Sequence, residues 1–145
     1  TFFSIRAKAF DAEYCCAGLD AVKRKYLEIT NNKDASAVEQ DLAVTLEVCY
    51  EFYLRGFSFA PIDIYHSHAT KFLIEDGQLR PPFVAVSGLG ETAAWDIMNC
   101  RDSMEFLSVE EFADACPKVS KTLIDQLQQA GAFGTLPLTS QLTLF

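Results

Sequence analysis

Val38, Leu42, Leu46, Cys49 and Tyr53 recur at steps of three or four residues, the period that lines one face of an α-helix. Ser36 and Glu39 open that run in the S-x-x-E arrangement of a capping box, and Gly56 stands where a left-handed stop belongs. The pattern predicts a core helix beginning after residue 36. A second helix is expected over residues 20–30, ended by Asn31-Asn32. From residue 57 the period shortens: Phe57-Ser58-Phe59, Ile62-Asp63-Ile64-Tyr65 and Lys71-Phe72-Leu73-Ile74 read as short strands, with Glu75-Asp76-Gly77 as a turn and Pro81-Pro82 closing the stretch. Helical spacing then returns over residues 83–87, 91–101, 108–115 and 121–130. Ser108 and Glu111 form another capping box, and Gly131 is a natural stop. Residues 1–6 alternate loosely, as a short strand or the end of a helix, and residues 137–145 read as turn residues followed by an extended tail. The fold class is therefore mainly α with a small β element.

Half of the 145 residues are hydrophobic, enough to bury a core and too many for a disordered tail. No run approaches a membrane span, and none reads as a signal peptide. The chain opens on Thr1-Phe2-Phe3-Ser4-Ile5-Arg6 without an initiator Met, as expected of an excised segment. Cys15, Cys16, Cys49, Cys100 and Cys116 are odd in number and form no C-x-x-C pair. They are expected to be reduced, mostly buried thiols in a cytosolic protein, with no metal bound.

The net charge of -8 changes the picture of possible partners. Residues 1–60 carry seven Lys/Arg against nine Asp/Glu, and residues 61–145 five against eleven. A broad electrostatic surface for nucleic acid is excluded, because repulsion from phosphates would dominate. Contact with DNA must come from a few focused donors, and composition alone points to a protein partner.

Such donors are suggested by Val86-Ser87-Gly88-Leu89-Gly90-Glu91-Thr92-Ala93-Ala94-Trp95-Asp96-Ile97, which resembles a helix-hairpin-helix. Gly88 and Gly90 would permit backbone angles and close approaches that side chains block. Leu89 would plug the turn into the core, and Ala94 would let two helices pack closely. Gly90 leaves the first amides of the next helix without a side-chain cap, and a helix start is a ready anion site. Ser87, Gly88, Leu89, Gly90 and Thr92 are the candidate DNA contacts here, with Glu91 a poor neighbour for phosphate. The competing reading is a tight helix–helix turn that binds nothing. A second pair comes around Cys116-Pro117-Lys118-Val119-Ser120-Lys121, without the glycines. There Lys118 and Lys121 could reach a phosphate backbone and Ser120 would serve as N-cap. The alternative is a packing partner for the first pair.

Gln141-Leu142-Thr143-Leu144-Phe145 has the composition of an extended peptide that places Leu and Phe in a partner's pockets while Gln bonds at the rim. Otherwise it is a greasy tail folded on its own domain. Tyr65-His66-Ser67-His68 would put both histidines on one strand face, but without a third ligand a surface pair is expected. Asp63, Glu75 and Asp76 read as turn and surface carboxylates. No nucleophile–base set, P-loop or Rossmann fingerprint occurs.

Taken together, these stretches resemble the C-terminal segment of the PolC-type alpha subunit of DNA polymerase III of Gram-positive bacteria. The likeness rests on Thr1–Ala7, Leu46-Glu47-Val48, Arg55-Gly56-Phe57, Pro61 to Tyr65, Ala69 to Ile74, Pro81-Pro82-Phe83, Val86 to Ile97, Val119 to Leu123, Gly131-Ala132-Phe133 and Gln141 to Phe145. Thr143 stands where Ser is usual. The resemblance implies four parts: the end of a helical fingers domain (1–56), a strand-rich link (57–82), a tandem helix-hairpin-helix domain for duplex DNA (83–136) and a tail that binds the beta sliding clamp (137–145). Implied partners are double-stranded DNA, the clamp and the rest of the polymerase chain, with no membrane and a bacterial cytoplasmic location. Catalysis in that family uses metal-binding palm carboxylates, with Mg2+, and an inserted exonuclease; neither lies in this segment. It is expected to hold no catalytic residue, metal or cofactor and to be inactive alone. Two other readings are a protein-interaction module that binds the clamp with little DNA contact, and a piece of a helix-hairpin-helix glycosylase or nuclease. The last would need a Lys or Asp beside a base-sized pocket, and no such set is evident.

Overall fold

In the computed structural model, residues 3, 9–103 and 105–139 are described. Six α-helices, one 3-10 turn and one β-hairpin run along them in the order α1 (Ala12–Cys15), α2 (Leu19–Thr30), α3 (Ala37–Leu54), β1 (Leu73–Glu75), β2 (Gln78–Arg80), 3-10 (Phe83–Ala85), α4 (Glu91–Ser103), α5 (Val109–Ala115) and α6 (Lys121–Gln129). The mainly helical class with a small β element is what the periodicity predicts. The strand-or-helix reading of residues 1–6 falls, Phe3 apart, outside the described residues.

Local chemistry sets the helix ends. Ser36 Oγ accepts from the Glu39 amide at 3.2 Å, and Glu39 Oε1 reaches back to the Ser36 amide at 3.4 Å. The capping box therefore closes as expected. At the other end of α3, Gly56 takes φ +86°, its amide donates to Tyr53 O at 3.0 Å, and the Phe57 amide donates to Phe52 O at 3.2 Å. This is a Schellman stop, and it is repeated after α6. There Gly131 has φ +81°, with Gly131 N to Gln128 O at 3.1 Å and Ala132 N to Leu127 O at 2.9 Å. At α5 the expected box is only half made. Ser108 Oγ accepts from the Glu111 amide, but Glu111 turns to the Leu107 amide at 3.0 Å instead of that of Ser108.

Helices α2 and α3 pack against each other through Val22 and Ile29 on one side and Leu42, Leu46 and Cys49 on the other, all buried. Val38, expected in this core, is 78% exposed. It sits in the first turn of α3 and lines a 610 Å³ cleft shared with Phe10, Leu42 and residues 84–91, so its helix face is right but it faces a cleft. Beyond α3, an aromatic cluster carries the core into the β-hairpin. Phe52 stacks on Phe59 at 4.5 Å between centroids, and Phe3, Phe10 and Phe72 meet edge-on or tilted around them.

In the 57–82 stretch the sequence pattern overstates the β content. Strands β1 and β2 pair antiparallel with Glu75 opposite Gln78. Asp76 and Gly77 make the two-residue turn, both left-handed at φ +51° and +77°, the geometry that matches strand twist. Phe59 contributes only an isolated bridge to Leu79. The strand expected at residues 62–65 is a turn: Asp63 Oδ1 accepts from the Tyr65 amide at 2.8 Å, and Ser67 N donates to Asp63 O at 2.9 Å. Alternation failed there because Ile62 and Ile64 are both buried by an Asx turn, not by a pleat. His66 and His68 accordingly do not share a strand face. His66 lies against Asp63, while His68 Nδ1 accepts from the Thr70 and Lys71 amides.

The same stretch is tied firmly to the C-terminal half. Phe83 N and Val84 N donate to His68 O and Ala69 O at 2.9 and 3.2 Å, and Ile64 N donates to Ala132 O at 3.0 Å. The Arg101 guanidinium donates to the carbonyls of Ile64 and Ser67, and Tyr65 Oη accepts from Phe106 N at 3.1 Å. Around these links Phe83, Ala94, Ile97, Phe112, Leu127 and Phe133 form the buried centre of the C-terminal half.

Candidate nucleic-acid interface

Two turns of the same plan stand at the starts of α4 and α6. In the first, Leu89 N donates to Val86 O at 3.0 Å, closing a four-residue turn in which Gly88 takes φ +83°. Leu89 is 3% exposed, so it anchors the turn, while Ser87, Gly88 and Gly90 on either side are exposed. The α4 ladder begins with Ala94 N to Gly90 O at 3.0 Å, and Ala94 and Ile97 are fully buried. Gly90 has no side chain to cap α4, and a β-carbon built there would meet nothing within 4 Å. Gly90 is thus required neither by its backbone angle nor by crowding within the chain, contrary to the sequence expectation, and Gly88 alone is held to glycine by its φ. What Gly90 leaves is open approach to the first-turn amides of a thirteen-residue helix, an environment that suits an anion.

In the second turn, Val119 N donates to Cys116 O at 3.0 Å and Ile124 N to Ser120 O at 2.9 Å, bond for bond the same pattern. Val119 is the buried plug, 4% exposed, in the position of Leu89. Pro117 precedes Lys118 as the leading turn residue, a place where its fixed φ is favoured, and no positive φ is needed at Lys118. Lys118-Val119-Ser120 thus stands where the first turn has Gly88-Leu89-Gly90, as the hydrophobic placement in the sequence suggests. Ser120 is the expected N-cap, its Oγ accepting from the Leu123 amide at 3.3 Å. Lys118 and Lys121 are exposed.

The two turns adjoin. A β-carbon on Gly88 would lie 3.6 Å from Leu123 Cδ2 of α6. The fold therefore brings the sequence-predicted residues Ser87, Gly88, Leu89, Gly90, Thr92, Lys118, Ser120 and Lys121 into two neighbouring helix starts. Their charges differ: the first carries Glu91, the second Lys118 and Lys121. The helix before the first turn, expected over residues 83–87, is shortened to the 3-10 turn Phe83–Ala85. Pro82 enters it in an extended conformation, and Val86 leaves it at ψ 124°, turning the chain before a full α-helical turn can form.

Gln141, Leu142, Thr143, Leu144 and Phe145 lie outside the described residues. The chain just before them is docked, since the carbonyls of Pro137 and Leu138 accept from the Val109 and Glu110 amides at 2.9 and 3.1 Å. No helix among the described residues is long and apolar enough to cross a membrane.

Known proteins are similar to this chain in sequence. The chain is 47% identical over 147 aligned residues to DNA polymerase III PolC-type of Streptococcus agalactiae serotype III (strain NEM316), covering 99% of this chain and 10% of that protein. It is 46% identical to DNA polymerase III PolC-type of Streptococcus pneumoniae serotype 2 (strain D39 / NCTC 7466), with the same coverage. The chain thus spans about a tenth of the length of these relatives. Residues 56–141 match the helix-hairpin-helix motif family, and with both turns built on that plan, the chain belongs to the helix-hairpin-helix family.

Proposed function

We propose that this chain is the C-terminal part of a bacterial replicative DNA polymerase of the PolC type, holding product duplex through its hairpin turns. The observation that carries the reading is the pair of adjoining helix starts at Gly90 and Ser120, within a chain 47% identical to PolC-type polymerases. In this reading the first-turn amides of α4 receive one phosphate, and Lys118 and Lys121 neutralise others. Ser87, Gly88, Leu89 and Thr92 shape the approach. Such contacts position a duplex without reading its sequence, and they suit an acidic chain because few donors are used.

Residues 1–56 then form the end of the fingers, 57–82 the link, 83–136 the tandem hairpin domain and 137–145 the tail. Gln141 to Phe145 bind the beta sliding clamp and keep synthesis processive. Nucleotide addition, with its Mg2+, belongs to the palm elsewhere in the parent chain, in the bacterial cytoplasm, and this segment alone is inactive. Fluorescence anisotropy with a labelled duplex tests the grip: weak binding that falls steeply with salt is expected. Absence of any binding at low salt would leave the second reading, a protein-interaction module whose hairpins only carry the clamp peptide, which the net charge of -8 favours.

A further inference from the structure

Asp96 and Cys100 lie one turn apart on α4, and Cys116, the C-cap residue of α5, comes up beside them. One ligand atom from each lies within 4.8 Å of the other two. Cys116 is fully buried, while Asp96 and Cys100 are partly open. Asp96 Oδ2 is itself buried and has no hydrogen-bond partner among the described residues. A buried carboxylate oxygen without a partner is costly unless a donor or a cation satisfies it. Neither the proposed phosphate contacts nor the clamp-binding reading uses these three side chains.

We propose that Asp96, Cys100 and Cys116 form a binding site for one thiophilic divalent cation of the Zn2+ class, with solvent as fourth ligand on the open side. Zn–S bonds near 2.3 Å and Zn–O bonds near 2.1 Å give tetrahedral edges of about 3.5–3.8 Å, so roughly an ångström of side-chain adjustment closes the site. Two thiolates and a carboxylate select a soft ion over Mg2+ or Ca2+. Binding releases two protons, one from each thiol, and breaks the 3.1 Å hydrogen bond from Cys100 Sγ to Ala115 O. Because both thiols must lose a proton to ligate the ion, affinity should climb with pH. The ion would pin the second hairpin turn, which starts at Cys116, onto α4 of the first.

The test is titration of the reduced, chelator-stripped chain with Co2+. A thiolate-to-cobalt charge-transfer absorption that saturates at one equivalent, and is displaced by Zn2+, is expected. Cys100→Ser and Cys116→Ser should abolish it, and Asp96→Asn should weaken Zn2+ binding by roughly tenfold or more. No absorption with excess Co2+ overturns the site. So does an absorption that survives both serine variants, which would place the metal at Cys15, Cys16 and Cys49. If the serine variants lose their helical circular dichroism, near-isosteric Asp96→Asn decides alone: unchanged Zn2+ affinity refutes the proposal.

Discussion

Gly88 and Leu123 meet across the two hairpins: a β-carbon at Gly88 would stand 3.6 Å from Leu123 Cδ2, ordinary contact and no clash. Glycine is required at this position by its φ of +83°, not by crowding. Gly88→Ala should therefore destabilise the chain by about 1–2 kcal/mol, the left-handed cost for an L-residue. Gly90 has neither constraint, so Gly90→Ala should be neutral or stabilising by up to about 1 kcal/mol. Duplex binding should nevertheless fall roughly tenfold, about 1.4 kcal/mol, because the methyl group stands in the phosphate approach. Urea denaturation and anisotropy on both variants check this; a Gly90→Ala protein that binds duplex normally would remove α4 from the interface.

Lys118 and Lys121 are the exposed cations of the second turn. Replacing either by Ala should weaken binding to all duplex sequences alike. Each should also lower the slope of log affinity against log salt by about one unit. Titrations at several salt concentrations measure both effects, and an unchanged slope would assign these lysines to bulk solvent.

Removing residues 141–145 should abolish binding to the sliding clamp and leave the thermal midpoint unchanged, since the docked segment at Pro137 and Leu138 remains. Phe145→Ala alone should cost about 2 kcal/mol or more of clamp affinity, as an aromatic anchor does. Surface-plasmon measurement on immobilised clamp reads both; full affinity after truncation would end the tether proposal.

Burial, with Lys71 and Arg101 nearby, holds the His68 imidazole below its ordinary 6.5. As pH falls, the unfolded chain takes up that proton before the folded chain does. The stability contributed by neutral His68 is then complete above about pH 6.5 and is lost progressively below it. His68→Asn offers a side-chain acceptor for the Thr70 and Lys71 amides but cannot titrate. The difference in urea midpoint between about pH 7.5 and pH 5.5 should shrink in this variant; an undiminished difference would place the effect on other groups.

Legible in the sequence is whatever neighbouring residues decide. Ser36 with Glu39 caps α3, Gly56 and Gly131 stop α3 and α6, and Asp76-Gly77 turns the β-hairpin, because each motif satisfies backbone groups within a few positions of itself. The Gly88–Gly90 turn was legible for the same reason, as was the buried place of Leu89. Other features depended on what approaches from far along the chain. Ile62 and Ile64 alternate like a strand, yet their stretch becomes a turn held by Ser67 and Arg101. Val38 keeps a helical period but faces a cleft, and Gly90 is exposed to open space that no local rule describes. The equivalence of Val119 to Leu89 was legible, since Lys118-Val119-Ser120 stands where the first turn has its glycines; the meeting of Asp96, Cys100 and Cys116 came only from packing α5 against α4. Local hydrogen bonds act over three or four residues and leave a signature in sequence; burial is a property of the assembled core, and only tertiary structure decides it.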